Sequence, residues 1–434
     1  MERTYPSHDP GALRNVLNWI DERFGPILNL WGSPMLPPDP RWWVYGCELA
    51  RLPVGTWYSQ EHFSAAGASV DPDQALQRCL GEAIERYSAL SNAGREDCVK
   101  LAPADNPISE IFPVCALDEP CPSSFKDLRL EVPITHARML RLSDGGDVLV
   151  PAAHVHLNFL AHPAEPIVAL PISTGLAFDP HLARAIWIGL CEVAERDATM
   201  LMWWTRRPIK RIDLNERRLP EGIASRLERL RQVGLTAELF DMSTNFRVPS
   251  VFCLVTGERY PYLTTGAACR ADPISACMKA LDEAASARIV TNNRQLSREI
   301  SSTLDFYWVR QLENHLMLYA GWRSSPAFDF LRHGNVLSWD EFVQADWWQA
   351  PSNMDDLSVL ATELENWDLT ILWTEVTAPE AKQLGYVVKV VVPQMLPLSQ
   401  DHNVRWLGTP RLLQAAGLRT LDVSALNRYP HPFA

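Results

Sequence analysis

Apolar positions follow a few distinct patterns along this chain. The β-branched runs Pro249–Val255 and Tyr386–Val392 end near turn residues and predict strands. Three longer stretches, opening near residues 72, 180 and 273, carry apolar residues at helical spacing and predict helices. Residues 1–45 hold tryptophans and prolines (Trp19, Trp31, Pro34, Trp42, Trp43) with little periodicity. They predict an N-terminal extension with one short helix around 11–23. Residues 97–125 and 322–352, rich in Pro, Ser and acidic side chains, predict irregular connectors. The alternation of strand and helix patterns predicts an α/β fold.

The three helical stretches begin alike. Gly67-Ala-Ser-Val-Asp71-Pro72, Gly175-Leu-Ala-Phe-Asp179-Pro180 and Ala268-Cys-Arg-Ala-Asp272-Pro273 each run from small residues into Asp-Pro, with an alanine three residues after the proline. An aspartate at the N-cap accepts from free backbone N–H groups, and proline has no N–H to leave unmet at the first helical position. The pattern therefore predicts a repeated unit of loop, helix and strand. Each helix then carries a glutamate: Glu82, eleven residues after Asp71; Glu192, thirteen after Asp179; Glu283, eleven after Asp272.

Two helices share more. Glu82-Ala-Ile-Glu85-Arg86 and Glu192-Val-Ala-Glu195-Arg196 put two carboxylates and a guanidinium on one helical stripe, since positions i, i+3 and i+4 share a face. The third helix has Lys279 and Glu283 at i, i+4, with Arg288 further on. A single such stripe reads as a solvated helix face. Recurrence, and apolar flanks such as Ile84, Val193 and Met200, point instead to charges that need partners. Clustered hard oxygen donors suit Mg²⁺ with a bound polyphosphate, and arginines can meet phosphate oxygens. The glycine-rich nucleotide motifs with P-loop or dinucleotide spacing are absent. His154 and His156 alternate as on a strand face, where a metal pair and a structural pair are both open readings.

Composition narrows the classes. Lys+Arg 40 against Asp+Glu 52 gives −12, which argues against a general nucleic-acid binder. Hydrophobic residues at 47% allow a substantial core. The nine cysteines contain no Cys-x-x-Cys pair, and Cys79 and Cys191 lie in helical stretches, so reduced thiols are expected. No apolar run is long enough to span a bilayer, and the first residues lack signal-peptide regions. A cytoplasmic protein with no membrane association is expected.

These residues resemble a known family. Leu80-Gly-Glu82-Ala-Ile-Glu85-Arg86-Tyr-Ser88 resembles the first ATP-site motif of the YcaO family. Ser173-Thr-Gly-Leu-Ala177 with Gly189-Leu-Cys-Glu192-Val-Ala-Glu195-Arg196 resembles the second, and Lys279-Ala-Leu-Asp-Glu283 through Arg288 the third. The resemblance covers 46–434 and implies a YcaO-type fold, with the repeated units surrounding a Mg–ATP site. It implies Mg²⁺ ligands at Glu82, Glu85, Glu192, Glu195 and Glu283. It places Arg86, Arg196, Lys279 and Arg288 toward phosphates, and Ser64, Gly67 and Ser173 beside the nucleotide. Arg184, Ser286 and a Ser64–Gly67 loop without lysine depart from frequent family residues.

The ending, Tyr429-Pro430-His431-Pro432-Phe433-Ala434, is similar to the proline-rich tail of azoline-forming members. That likeness implies an ATP-dependent cyclodehydratase turning Cys, Ser or Thr of a ribosomal precursor peptide into thiazoline or oxazoline. The side chain attacks the preceding amide carbonyl, the oxyanion takes the γ-phosphoryl group of ATP, and phosphate leaves with the former amide oxygen. The Ala434 carboxylate, or His431, would be the base. The resemblance also implies an E1-like partner that binds the peptide leader, a flavin-dependent azoline dehydrogenase acting afterwards, and a homodimer within a larger complex. A thioamide- or amidine-forming enzyme is the alternative on the same site. A non-catalytic peptide- and partner-binding scaffold is the alternative of another class.

Overall fold

The computed structural model describes residues 16–433 apart from 34, 38, 51–62, 92–97, 103–104, 107–111, 113–131, 161, 216–218, 294–305 and 323–324. Three sheets organise them. The first has order β1 (Ile27–Gly32), β2 (Trp43–Leu49), β3 (Ser64–Ser69), all antiparallel. The second has order β4 (Val99–Leu101), β5 (Ile134–Arg141), β13 (Leu372–Glu375), β14 (Tyr386–Val391), β7 (Leu176–Asp179), with β6 (Asp147–Pro151) also on β5. The third has order β11 (Leu263–Cys269), β10 (Ser250–Gly257), β9 (Leu235–Asp241), β8 (Lys210–Ile212), β12 (Val336–Leu337). The helices are α1 (Pro72–Leu90), α2 (Leu182–Thr205), α3 (Glu221–Arg231), α4 (Pro273–Asn293), α5 (Leu312–Ala320), α6 (Trp339–Val343), α7 (Leu357–Leu364) and α8 (Pro410–Ala416).

Each sheet ends in a strand that runs into one repeated helix: β3 into α1, β7 into α2, β11 into α4. The contact between strand and helix is close at two glycines. A Cβ on Gly67 would lie 2.2 Å from Ala75 O and 2.3 Å from Cys79 N; one on Gly266 would lie 2.3 Å from Ala280 O. Only glycine lets the backbones meet this closely.

Two of the three helix starts have the expected chemistry. Asp71 Oδ1 accepts from Gln74 N at 2.9 Å, and Asp272 Oδ2 from Ser275 N at 2.7 Å. The third differs. Asp179 stays in β7, paired with Tyr386, and accepts from His181 N at 2.8 Å. Helix α2 therefore begins at Leu182, with His181 at its N-cap. Counted from the true caps, Asp71, His181 and Asp272, the three glutamates lie at the same depth of eleven residues. The pairing of β7 accounts for the two-residue discrepancy in the sequence.

Strand β10 shows why an unbroken apolar run is needed. Val251, Cys253 and Val255 face Ala276, Ala280 and Ala284 of α4, whereas Phe252 and Leu254 join Trp203 and Phe240 in a separate cluster. With both faces covered, every position is apolar, and each fully buried large side chain contributes about 1.5–3 kcal/mol.

The boundary expected at residue 45 falls inside β2, and β1 (Ile27–Gly32), within the expected extension, pairs with β2. Of the helix expected over 11–23, residues 16–17 are helical and the chain then turns; earlier residues lie outside the described ones. Most of 97–125 lies outside them too, but 99–101 form β4. The 322–352 connector contains β12 and α6. The seven described cysteines form no disulfide. Among the described residues, no helix is long and apolar enough to cross a membrane.

One buried carboxylate ties two of the three repeated helices together. Asp282 on α4, 1% exposed, accepts from Trp42 Nε1 (2.8 Å), Arg78 Nη1 on α1 (2.8 Å), and Arg226 Nε and Nη2 on α3 (2.8 and 3.1 Å). Its burial opposes ionisation, and the two arginines outweigh that and hold the carboxyl below its ordinary range. Removing it leaves the buried Arg226 uncompensated. Asp282→Ala is expected to lose about 3–5 kcal/mol of stability in urea unfolding, and an effect below about 1 kcal/mol would contradict the hub role.

Candidate active site

The repeated glutamates share one bonding arrangement. Glu82 Oε2 accepts from Ala66 N on β3 at 3.0 Å. Glu192 Oε2 accepts from Gly175 N, just before β7, at 3.2 Å. Glu283 Oε2 accepts from Ala267 N on β11 at 3.3 Å. In each case the other oxygen faces a cation four residues away on the same helix. Arg86 Nη2 is 2.9 Å from Glu82 Oε1, Arg196 Nη2 is 3.8 Å from Glu192 Oε1, and Lys279 Nζ is 2.6 Å from Glu283 Oε1. A further oxygen, Glu195 Oε2, accepts from Cys269 N at 3.2 Å, so α2 also reaches β11.

These contacts gather the charges into two groups that meet at Glu192. One contains Glu82, Glu85 and Arg86 from α1 with Glu192 and Lys389. The other contains Glu192, Glu195 and Arg196 from α2 with Glu283, Lys279 and Arg270. Burial, then the charges of Glu192 and Glu82, push the Glu85 carboxyl well above the ordinary range. Burial raises Glu192 against the pull of Arg196 and Lys389. Burial likewise raises Glu195, to about 7, despite Arg196. Burial would raise Glu283, but Lys279, with Arg196 and Arg270, outweighs it and holds the carboxyl below its ordinary value.

Sequence patterning missed Lys389 and Arg270. Lys389 on β14 is 3% exposed, and its Nζ donates to Ile172 O (2.8 Å) and Thr174 O (2.6 Å). Burial lowers it to about 8, resisted by Glu192 and Glu85. The available signal was a lone charge inside the run Tyr386–Val391. The two carbonyls it binds flank Ser173, which is half-buried in that loop. Ser64 opens β3, and Gly67 lies on the same strand against α1.

Three expectations change. Arg288 lies five residues beyond Glu283, about 140° round the helix. Its buried guanidinium donates to Pro261 O and Arg259 O, so it is withdrawn from the cluster. His431 Nε2 donates to Ser399 O at 2.6 Å and its Nδ1 accepts from Phe433 N at 3.3 Å. Both ring nitrogens are thus engaged within the buried C-terminal segment; Ala434 lies outside the described residues. His154 and His156 do not share a strand face, because residues 152–154 form a 3-10 turn. The His154 ring sits 4.8 Å from Phe112, and His156 Nε2 lies 3.8 Å from Cys98 Sγ.

Among the described residues, no three carboxylate, thiol or imidazole groups already converge as a metal cage. The carboxylates fold back onto Arg86, Arg196 and Lys279 instead. The donor set nevertheless fits Mg²⁺ and a polyphosphate. Burial raises the Glu85, Glu192 and Glu195 carboxyls, a cost that a divalent cation would offset, and Arg86 Nε and Arg196 Nε are buried without a hydrogen-bond partner among the described residues.

Three sheet edges and three helices thus define an α/β protein with one carboxylate-rich, arginine-lined site. Residues 66–396 match the family described as YcaO cyclodehydratase, ATP- and Mg²⁺-binding, and the chain belongs to the YcaO family. It is similar to a heterocyclase solved in complex with substrate and cofactor (TM-score 0.75, 18% identity), matching 98% of this chain and 58% of that one. It is similar to YcaO from Methanopyrus kandleri bound with AMPPCP and Mg²⁺ (TM-score 0.61, 17% identity, 91% and 93% of the two chains). It is also similar to a chain of the E. coli microcin synthetase McbBCD complex with pro-MccB17 bound (TM-score 0.63, 16% identity, 93% and 96%). The chain spans 58% of the length of the first of these.

A carboxyl whose folded pKa is raised binds its proton more tightly in the folded state. Its contribution to stability is complete below the unfolded value and is lost as pH rises through the folded one. For Glu195 that window runs from about 4.5 to about 7. Glu195→Gln, which keeps an acceptor for Cys269 N, is expected to gain stability relative to the wild type by about 1–3 kcal/mol between about pH 5 and 8 without metal. Thermal unfolding of the two proteins across that range checks this, and a pH-independent difference would refute it.

Proposed function

We propose that this chain is an ATP-dependent cyclodehydratase acting on Cys, Ser or Thr of a ribosomally made precursor peptide. The observation that carries the reading is the threefold glutamate arrangement, in which each carboxylate is fixed through one oxygen by a backbone N–H in or next to an edge strand and paired through the other with a cation. When bound, Mg–ATP would supply the phosphoryl group that leaves with the former amide oxygen. Glu82, Glu85, Glu192, Glu195 and Glu283 would hold Mg²⁺. Arg86, Arg196 and Lys279 are the candidates for phosphate contact. Ser64, Gly67 and Ser173 lie on the strand and loop segments beside these glutamates and would border the nucleotide.

This chain's residues account for orientation and charge. The strand N–H groups fix three carboxylates without consuming their second oxygens. Lys389 ties the Ile172–Thr174 loop to β14 through two carbonyls. Phosphoryl transfer needs such alignment and neutralisation more than covalent participation by the protein. A scaffold that bound only peptide would have no use for five carboxylates among buried arginines, which supports catalysis over the scaffold reading.

The peptide's leader would be held by an E1-like partner. The microcin synthetase relative is solved as a complex containing its precursor, which supports a multi-protein setting. Trp31 and Trp43 are exposed on β1 and β2, 42% and 46%, whereas Trp42 is buried against Asp282. The first two are available to a partner.

The test incubates the chain, its partner and precursor peptide with Mg–ATP. Each ring formed should remove one water from the peptide and release one phosphate; exchange of oxygen for sulfur in the product would favour the thioamide reading. Glu82→Gln and Glu192→Gln are expected to lose ring formation by about 10²–10³-fold while circular dichroism stays unchanged. Unaltered turnover and unaltered nucleotide affinity in both variants would overturn the assignment.

A further inference from the structure

Beside Lys389 lies a small pocket that the clustered carboxylates do not line. Its walls come from the 3-10 turn at 152–154, the loop at 170–174, the end of β14 with the residues that follow, and Val193 of α2; Trp406 closes one side. The loop is half-buried and forms the rim. Among the described residues lining it, the side chains with nitrogen or oxygen atoms are His154, Thr174, Lys389 and Trp406, and the others are apolar. Lys389 Nζ is bonded to Ile172 O and Thr174 O at the rim. His154 Nε2 is buried and has no hydrogen-bond partner among the described residues.

A buried ring nitrogen is costly to leave unmet. Burial, reinforced by the nearby charge of Lys389, lowers the His154 imidazole to about 3, so the ring is neutral at ordinary pH. Its Nε2 is then either an N–H donor or a lone-pair acceptor, and a hydroxyl or thiol can answer both. Water is a poor occupant, because a buried water needs about two to four polar partners and most of these walls are apolar. The pocket's volume is about 60 Å³, about twice the roughly 30 Å³ that one water takes in the liquid. That leaves room for about two or three heavy atoms, with one polar end at His154. Serine, cysteine and threonine side chains match this description. An aromatic ring is too large, and a lysine or arginine would meet the like charge of Lys389.

We propose that this pocket seats the side chain of a cysteine, serine or threonine of a peptide, with His154 Nε2 bonded to its thiol or hydroxyl. Taking that residue as the one to be cyclised rests on the cyclodehydratase reading; the preference for a small side chain with one O–H or S–H does not. Lys389 belongs to both places. It lines the pocket, and its charge faces Glu192 and Glu85. Val193, on the wall, directly follows Glu192 on α2. A side chain seated here therefore lies beside the candidate Mg–ATP site.

The experiment uses the full chain without nucleotide, metal or partner. The probes are acetyl-glycyl dipeptide methylamides ending in threonine, in valine, which has the same shape without the hydroxyl, or in phenylalanine. Binding is titrated by saturation-transfer NMR. The threonine probe should bind saturably and about three- to tenfold tighter than the valine probe, and the phenylalanine probe more weakly than either. His154→Leu, which puts an apolar side chain in place of the unmet nitrogen, should erase the threonine advantage. Leu170→Trp, which fills the rim, should weaken binding of all three. No saturable binding of the threonine probe, equal binding of threonine and valine, tight binding of phenylalanine, or an unchanged preference in His154→Leu would each overturn the proposal. The comparison of threonine with valine in the wild type decides the matter even where a variant does not fold. Because these titrations involve no turnover, intact preference in a chain that forms no ring would fault the cyclodehydratase reading alone. Ring formation without the preference would fault the pocket alone.

Discussion

Each of the three glutamates at depth eleven in its helix spends one carboxylate oxygen on a backbone N–H at the edge of a different sheet. An edge strand has outward N–H groups that no neighbouring strand satisfies. In this fold the helix that follows the strand turns back and satisfies one of them with Glu82, Glu192 or Glu283. The bond sets the rotation of the helix about its axis as well as its distance from the sheet. It also explains the demand for small residues: β3 reads Ser-Ala-Ala-Gly-Ala-Ser, and β11 reads Leu-Thr-Thr-Gly-Ala-Ala-Cys. A larger side chain at Gly67 or Gly266 would lift the helix off the strand and carry the glutamate out of reach.

Fixing one oxygen in this way brings like charges together, and that is costly away from water. The clustered carboxylates Glu82, Glu85, Glu192, Glu195 and Glu283 are faced by Arg86, Arg196, Arg270, Lys279 and Lys389. The balance is uneven in space. Glu283 has Lys279 at 2.6 Å and is held in its charged form, whereas Glu85 has no comparably close cation and is pushed toward protonation. The excess of negative charge is therefore greatest around Glu85, near α1 and Glu192.

Much of this was legible in the sequence, because the repeat is chemical as well as structural. Asp-Pro, a small-residue strand and a glutamate at fixed depth recur, and each has a local physical reason. The features that were not legible depend on long-range pairing. The β7–β14 ladder keeps Asp179 extended and delays α2 by two residues, which no local propensity announces. Lys389 reads as one polar interruption in an apolar strand until the loop at 172–174 is laid over it. Arg288 and Glu283 share a motif in sequence yet face different ways, because five residues is not a multiple of the helical repeat. Residues 27–32 lack a periodic signal, and they are held by pairing with β2, as Trp42 is by its bond to Asp282, both invisible to local pattern.

Helix α4 carries one aspartate and one glutamate side by side, Asp282 and Glu283. Adjacent helical residues point about 100° apart, so they serve different neighbours. Asp282 faces inward, toward Trp42, Arg78 of α1 and Arg226 of α3, and fixes α4 relative to both helices. Glu283 faces β11 and Lys279 in the charge cluster. Arg78 precedes Glu82 by one helical turn, so the ion pair that fixes α1 to α4 acts one turn from the carboxylate that α1 presents. Placement of the charged site is thus inherited from a buried ion-pair hub that makes no contact with the site's own charges. A change that preserves all five glutamates but loosens Asp282 would alter their spacing without removing any of them.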